Sequence, residues 1–264
     1  MIKIIPTSKK ISAEVKNCNL SKLNQQELEV IKFALQKYGM IYFRNQNLSS
    51  YEYLNFAKKI GKPAKYPRLK GLNKKYPEIT VVERKTSDKG PSFGEQFHTD
   101  SSYTKKPPSF TMLLSKKVPR PGKANTEFSS QYLAYKKLPK KYKYKLNKLT
   151  GIFSSNGPIA ITTVERTKEK GKLKQELKAK HKVVKVVGGK KTIYCSPGHL
   201  VGFSNNNVNF LKLRNYLLKH QTKKSFQYSL KWHKNQLAIW DNRSMLHQAT
   251  PFKGNRVMHR ITIQ

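Results

Sequence analysis

Acidic residues are scarce in this sequence. Its 264 residues contain 14 Asp and Glu against 54 Lys and Arg, which gives a formal net charge of +40. Only three of the acidic residues are aspartates, namely Asp88, Asp100 and Asp241. Because acidic side chains are so few, an accidental acidic partner beside a histidine is less probable in this sequence. Two of the three aspartates lie in the motifs described below.

Cysteines are few, and long apolar runs are missing. The two cysteines, Cys18 and Cys195, are too few and too far apart for a disulfide framework or a cysteine-based zinc site. No apolar run approaches the roughly 18 residues of a membrane helix, and the first residues lack the apolar stretch of a secretory signal. We therefore expect a cytoplasmic protein that does not associate with membranes.

The positive charge is spread along the chain. Of the 54 basic residues, 45 are Lys and 9 are Arg, with denser runs at 136–148 and 168–191. Proteins that read nucleic acids usually concentrate their charge on one face and add arginines that contact the bases. We therefore interpret the charge as a solvated basic surface, and we expect no specific nucleic-acid partner. The alternative is a charge that attracts anionic substrates or binds nucleic acids weakly and without specificity.

The spacing of apolar residues predicts helices at 25–38, 51–60, 132–149 and 210–219. Short apolar or alternating segments, separated by Gly and Pro turns, predict strands at 2–15, 40–43, 79–82, 96–101, 109–114, 183–187, 192–195, 201–203, 226–232, 236–240 and 257–263. Many short strands are typical of a β-sandwich or jelly roll. Without an internal repeat, a single domain over residues 1–264 is expected, with the lysine-rich stretch 167–182 as a surface insertion or lid.

A metal site is indicated by His98 and Asp100, two residues apart in a strand-like segment. Alternate residues of a strand point to the same face, so both side chains can reach one ion. Non-haem Fe(II) oxygenases commonly use two histidines and one carboxylate, which leaves three positions open. His247 is the leading candidate for the third ligand. A histidine bonded to a carboxylate at a strand end gives the same short pattern, and Asp241, in a predicted turn, is the rival carboxylate.

Four motifs resemble those of the taurine and 2,4-dichlorophenoxyacetate dioxygenases. In chain order they are 97–103, 125–128, 240–243 followed by His247, and 256–260. The resemblance covers nearly the whole chain. It implies a mixed α/β, mainly β fold with a double-stranded β-helix (jelly roll) core and flanking helices. It also implies a dioxygenase that uses Fe(II), 2-oxoglutarate and O₂ to hydroxylate a small anionic organic substrate, with release of succinate and CO₂.

The resemblance also implies roles for individual residues. His98, Asp100 and His247 would be the catalytic metal ligands. Arg260 would pair with the distal carboxylate of 2-oxoglutarate, since a guanidinium can donate two parallel hydrogen bonds to a carboxylate, and the Thr126 hydroxyl would bond the same group. The candidates for substrate contacts are Lys65, Tyr66, Arg68, His199 and Arg256.

Several alternatives stay open at this point. Arg260 also fits a surface charge on the last strand, and Thr126 an ordinary strand hydroxyl. A nucleic-acid-associated iron oxygenase and a non-catalytic basic jelly-roll binding protein are the rival functions. Both a monomer and a homo-oligomer are compatible with the sequence. His220, in a lysine-rich helix, is expected at the surface.

Overall fold

The computed structural model describes residues 1–7, 11–66, 69–160, 162, 175–204 and 209–264. In this part of the chain the fold is mixed α/β and mainly β, as predicted. None of the helices in these ranges has the length and apolar character needed to cross a membrane. The helices are α1 (Gln25–Tyr38), α2 (Ser50–Ile60), α3 (Gln131–Lys136), α4 (Lys140–Asn147) and α5 (Phe210–Gln221).

The strands of the described ranges form one large sheet and several small ones. Their bounds are β1 Lys3–Pro6, β2 Ala13–Lys16, β3 Met40–Phe43, β4 Pro63–Ala64, β5 Thr80–Arg84, β6 Phe110–Lys117, β7 Thr126–Ser130, β8 Thr150–Ser154, β9 Lys178–Lys182, β10 Val184–Val187, β11 Lys190–Ile193, β12 Leu200–Phe203, β13 Gln227–Leu230, β14 Leu237–Asp241, β15 Met245–Ala249 and β16 Arg256–Ile263. The large sheet has the order β1-β2-β3-β14-β6-β16-β4, and β5 also pairs with β16. The smaller units are β13-β7-β15, β12-β8-β9 and the β10-β11 pair.

Helices α1 and α2 cover one face of the large sheet. Each begins at a capping box, in which the N-cap side chain and a glutamate three residues later bond each other's backbone N–H groups. Helix α1 ends at Gly39, whose φ of 76° suits a glycine. The buried side of both helices packs on the sheet through residues that include Ile31, Phe56, Ile239 and Ile261.

A second apolar layer lies between the large sheet and the β13-β7-β15 sheet. Trp240 of β14 and Phe128 of β7 pack edge to face, with ring centroids 5.3 Å apart. Trp232, Leu113 and Met258 belong to the same buried cluster. This layer forms the apolar wall of the cavity described below, because several of its side chains line that cavity.

Strand β16 carries positive charge into the space between the sheets. Since side chains alternate along a strand, Arg256, Met258 and Arg260 share one face, whereas Ile261 points to the helices. Both arginines are buried, with 8% and 3% of their surfaces exposed. A strand that is apolar on one side and cationic on the other therefore supplies the charged wall of the site.

Some local predictions were wrong for clear physical reasons. The segment predicted as a strand at 96–101 is an isolated bridge, in which His98 pairs with His247. The helix predicted at 132–149 is two helices, because Pro139 lacks the backbone N–H that a continuous helix needs. His220 is not at the surface but is buried, with its Nε2 2.8 Å from the Ala134 carbonyl oxygen.

The predicted insertion at 167–182 lies partly outside the described residues. Its last residues, Lys178–Lys182, form β9, which pairs antiparallel with β8. This part of the stretch is therefore a sheet strand and not a loop.

The packing of β16 on the helical layer predicts a large effect at Ile261, which is fully buried. We expect Ile261→Ala to lower the free energy of unfolding by about 2–5 kcal/mol, because the neighbours cannot fill the space left by the side chain. Val257→Ala, at a partly exposed position of the same strand, should cost clearly less. Urea denaturation measures both, and equal losses would contradict this packing.

Candidate metal centre

The structure brings His98, Asp100 and His247 together. All three are buried, and one ligand atom from each lies within 4.8 Å of the others. Oδ1 of Asp100 is 3.7 Å from Nε2 of His98 and 3.9 Å from Nε2 of His247. Among the described residues this is the group of His, Cys, Asp and Glu side chains that could hold a metal ion.

Backbone pairing holds the two histidines side by side. The N–H of His98 donates to the carbonyl of His247 at 3.0 Å, and the N–H of His247 donates back at 2.9 Å. The hydroxyl of Thr99 then donates to the carbonyls of Asn242 and Met245. The chain turns immediately afterwards, and Ser101 adopts a positive φ of 47°. Two long-range contacts, and not a regular strand, therefore place His98 and Asp100.

Both imidazoles are set up to be neutral metal ligands. Burial lowers the pKa of His98 and lowers that of His247 further, because the neighbouring His98 adds to the effect. Nδ1 of His98 lies 2.7 Å from the Gln96 carbonyl oxygen, which can only accept a hydrogen bond. The proton is therefore on Nδ1, and the lone pair of Nε2 faces Asp100. This is the form in which histidine binds metals.

Asp100 is held as a carboxylate by its neighbours. Burial alone would raise its pKa, but the charge of Arg260, followed by the two histidines, keeps the pKa below its ordinary value. Nη2 of Arg260 is 2.8 Å from Oδ1, and the hydroxyl of Thr111 donates to Oδ2 at 2.6 Å. Asp100 therefore offers an ionised oxygen between two neutral imidazoles.

The residues of this site fit a divalent transition metal. Two imidazole nitrogens and one carboxylate oxygen are the donor set of non-haem Fe(II) sites. Nδ1 of His247 and Nη1 of Arg260 are buried and have no hydrogen-bond partner among the described residues, as expected for a site that is completed by further groups. Asp241, the rival carboxylate, instead binds the guanidinium of Arg243 at 2.9 and 2.7 Å.

One cavity connects the three candidate metal ligands to a second cationic region. The cavity is lined by all three ligands and also by Thr126, Arg256, Arg260, Arg84, Phe252, Trp240 and neighbouring residues. It therefore has an apolar wall, a metal-binding end and several guanidinium groups. Such a cavity suits a small anion that reaches the metal.

Thr126 is associated with Arg256 and not with Arg260. Its Oγ1 accepts a hydrogen bond from Nε1 of Trp232 at 2.9 Å and lies 3.5 Å from Nη2 of Arg256. Arg260 instead lies against Asp100 and under the ring of Tyr66, with Cζ 4.3 Å from the ring centroid. The structure therefore places Thr126 beside Arg256, whereas Arg260 contacts Asp100 and Tyr66.

The remaining substrate candidates have mixed positions. Tyr66 contacts Arg260, as described, whereas the neighbouring Lys65 is exposed. His199 is buried next to the site: its ring packs edge to face on Tyr103 and lies 6.1 Å from that of His98, and its Nδ1 is 3.0 Å from the Ser102 hydroxyl. Arg68 lies outside the described residues.

Sequence reasoning missed Arg84 and Phe252, which also line the cavity. Arg84 lies between Glu83 and Lys85 after the predicted strand 79–82, where it looks like one of several surface charges, and Phe252 follows Pro251 in a predicted turn. No sequence pattern near either residue indicates that it lines a cavity, because its position there depends on the pairing of β5 with β16.

Comparison with known proteins decides the family. The family model described as taurine catabolism dioxygenase TauD, TfdA family matches residues 3–262. The chain belongs to this family. An alkylsulfatase of Acinetobacter baylyi is 28% identical over 271 residues, which cover 96% of this chain and 82% of the relative. An alpha-ketoglutarate-dependent sulfate ester dioxygenase of Pseudomonas putida is 26% identical, with 98% and 88% covered.

Solved structures share the fold. The crystal structure of a taurine dioxygenase from Burkholderia xenovorans superposes with a TM-score of 0.82 over 99% of this chain and 89% of that chain, at 24% identity. Enzymes of the TauD/TfdA family are dioxygenases that use Fe(II), 2-oxoglutarate and O₂. The predicted family, enzyme class and cofactors are therefore confirmed, and the chain is an oxidoreductase.

The ring of His98 leaves little room at Gly94, and this predicts an effect on metal binding. A Cβ at Gly94 would lie 3.1 Å from Cε1 of His98, whereas a Cβ at Gly122 would meet nothing within 4 Å. Both glycines have a positive φ, 80° and 89°, so alanine strains both backbones. We expect only Gly94→Ala to weaken Co(II) binding, by about tenfold.

Titration of Co(II) into the metal-free protein measures this effect, and Gly122→Ala is the matched control. Equal metal affinity in the two variants would show that the contact with His98 does not matter.

Proposed function

We propose that this TauD/TfdA family member hydroxylates a small organic anion, with His98, Asp100 and His247 as the ligands of Fe(II). The observation that carries the proposal is the convergence of these three buried side chains at one end of a cationic cavity. When bound, the metal with 2-oxoglutarate and O₂ supplies the oxidising power and yields succinate and CO₂. The protein's own residues bind, orient and shield the reactants.

We propose that Thr126 and Arg256 hold the distal carboxylate of 2-oxoglutarate. Oγ1 of Thr126 already accepts hydrogen bonds from Trp232 and Arg256, and its own proton goes to none of the described residues. A carboxylate oxygen is the acceptor that this proton and the adjacent guanidinium suit best. This arrangement gives Arg256 the role that the sequence suggested for Arg260.

We propose that Arg260 binds the anionic group of the substrate. It lies four residues, or about 13 Å of strand, from Arg256, and its Nη2 touches the metal-ligand oxygen of Asp100. Its guanidinium is therefore next to the reacting centre and not at the far end of the cavity. The ring of Tyr66 covers the guanidinium and fixes its plane.

The charge of the cavity and the names of the relatives support one class of substrate. A buried guanidinium favours a carboxylate, sulfonate or sulfate over a neutral molecule. The two relatives described above are named for alkyl sulfates and sulfate esters. We propose a substrate of this kind, a small apolar body with one anionic group, since Trp240, Phe252 and Met258 supply apolar lining.

We further propose that residues 1–264 act as one domain with a double-stranded β-helix core. The β13-β7-β15 sheet faces the large sheet across the buried layer around Trp240. The His98–His247 bridge adds one residue pair to its edge. The metal ligands would thus lie at the mouth of the two-sheet core.

A spectroscopic experiment tests the metal and cosubstrate assignment. We expect anaerobic Fe(II) and 2-oxoglutarate to give the protein a weak visible charge-transfer band, which requires both to bind together. His98→Ala should lose the band because it removes one of three ligands. His233→Ala, at an exposed histidine, should keep it. A full band in His98→Ala, or none in the wild type, would contradict the assignment.

A panel of anions tests the substrate class. Succinate release should be stimulated by one class among alkyl sulfates, alkyl sulfonates and aryloxyacetates, and not by the matching uncharged alcohols. The assay uses excess Fe(II), since Arg260 also pairs with Asp100. Under this condition Arg260→Gln should raise the KM for the best anion by about tenfold or more, because a charge-assisted hydrogen bond is lost, and should change the KM for 2-oxoglutarate much less. If the 2-oxoglutarate KM changes more, the roles of the two arginines are reversed.

A further inference from the structure

Three of the arginines that the structure describes are buried, and all three line the same cavity: Arg84, Arg256 and Arg260. The proposed function uses Arg256 and Arg260 but leaves Arg84 without a role. Only 8% of the surface of Arg84 is exposed. Since a buried charge is costly unless a partner compensates it, the position of this side chain requires an explanation.

The sheet register sets Arg84 directly opposite Arg256. Strands β5 and β16 are antiparallel, and these two residues are partners in the ladder. The two guanidinium carbons also lie at the same distance, 5.5 Å, from the ring centroid of Phe252. Like charges directly opposite each other destabilise a sheet. Their common end of the cavity is therefore a region of high positive potential that favours an anion.

The hydrogen bonds of Arg84 hold it in place without cancelling its charge. Nη1 donates to the Ser92 hydroxyl at 3.0 Å, and Nη2 donates to the carbonyls of Asp88 and Gly90 at 3.3 and 3.1 Å. All three acceptors are neutral oxygens. Nε is buried and has no hydrogen-bond partner among the residues that the structure describes. The guanidinium is thus fixed in the cavity wall with its Nε–H still available.

We propose that Arg84 is a second cationic residue of the cosubstrate site, which acts with Arg256 and Thr126 on the distal carboxylate of 2-oxoglutarate. This inference rests on the proposed function, which places that carboxylate at Thr126. Arg84 and Arg256 approach the carboxylate from neighbouring strands. The site therefore selects 2-oxo acids that carry a second carboxylate over those that end in a methyl group.

A purely structural role for Arg84 is the alternative outcome. Its three hydrogen bonds fasten the segment 85–92, and Ser92 and Gly94 line the cavity. Loss of Arg84 could loosen this wall and affect any ligand equally. The readout must therefore compare two ligands that differ only in the distal carboxylate.

The test is calorimetric binding of 2-oxoglutarate and of 2-oxopentanoate to the Co(II)-loaded full chain. 2-Oxopentanoate has the same number of carbons but lacks the distal carboxylate. We expect Arg84→Gln to weaken 2-oxoglutarate binding by about tenfold and to leave 2-oxopentanoate binding within about twofold. Ser92→Ala, which removes one acceptor of Arg84 but keeps the charge, should leave the ratio of the two dissociation constants unchanged. Arg120→Gln, at an exposed arginine, is the control for loss of one positive charge elsewhere.

Arg256→Gln separates failure of this inference from failure of the proposed function. If Arg256→Gln lowers the preference for 2-oxoglutarate and Arg84→Gln does not, Arg84 only fastens the segment 85–92 and the inference is wrong. If neither variant changes the preference for 2-oxoglutarate, its distal carboxylate binds elsewhere. The proposed position of this carboxylate at Thr126 is then wrong as well. If Arg84→Gln does not fold, Arg84→Lys replaces it. Lysine has an unbranched side chain with a single nitrogen and cannot reproduce the donors of a guanidinium, so the preference for 2-oxoglutarate over 2-oxopentanoate should still fall. An unchanged preference would overturn the inference.

Discussion

The ion pair between Asp100 and Arg260 is the interaction on which the rest of the site depends. A carboxylate buried without a partner would cost several kcal/mol or take up a proton. Here Arg260 from β16 and Thr111 from β6 each bind one of its oxygens. Asn242 donates in turn to the Thr111 hydroxyl at 2.8 Å. Neighbouring strands and the turn after β14 thus fix the single aspartate around which the histidines are arranged.

Lysine and arginine residues lie in different parts of the molecule and contribute differently to it. The excess of positive charge comes mainly from lysines, and in the described ranges the buried cations are the arginines of the cavity. A guanidinium is weakly hydrated and presents a rigid set of donors, so it tolerates burial better than an ammonium group. The lysines give the molecule a positive field that draws anions towards it. In the proposed function, the buried arginines would bind those anions where water is scarce.

Local features were predictable from the sequence, and long-range pairing was not. The capped helix at Gln25–Tyr38 and the triad His98, Asp100 and His247 follow from apolar spacing, from the glycine stop and from motifs. The partner of Thr126 and the position of Arg84 depend on which strands lie side by side. That register is decided by tertiary packing, and no pattern within a few residues records it. The predicted strand around His98 failed for the same reason, since its backbone partner lies 149 positions later.

The reciprocal backbone hydrogen bonds between His98 and His247 join two of the proposed metal ligands in one piece of backbone pairing. The N–H of Ala249 also donates to the carbonyl of Gly94, which extends this pairing. Any local opening that separates these segments breaks the peptide pairing and disperses the ligands in one event. Opening of this sheet edge would therefore also separate the proposed ligands of the ion. A bound ion would link parts of the chain that are far apart in sequence and would stabilise their pairing.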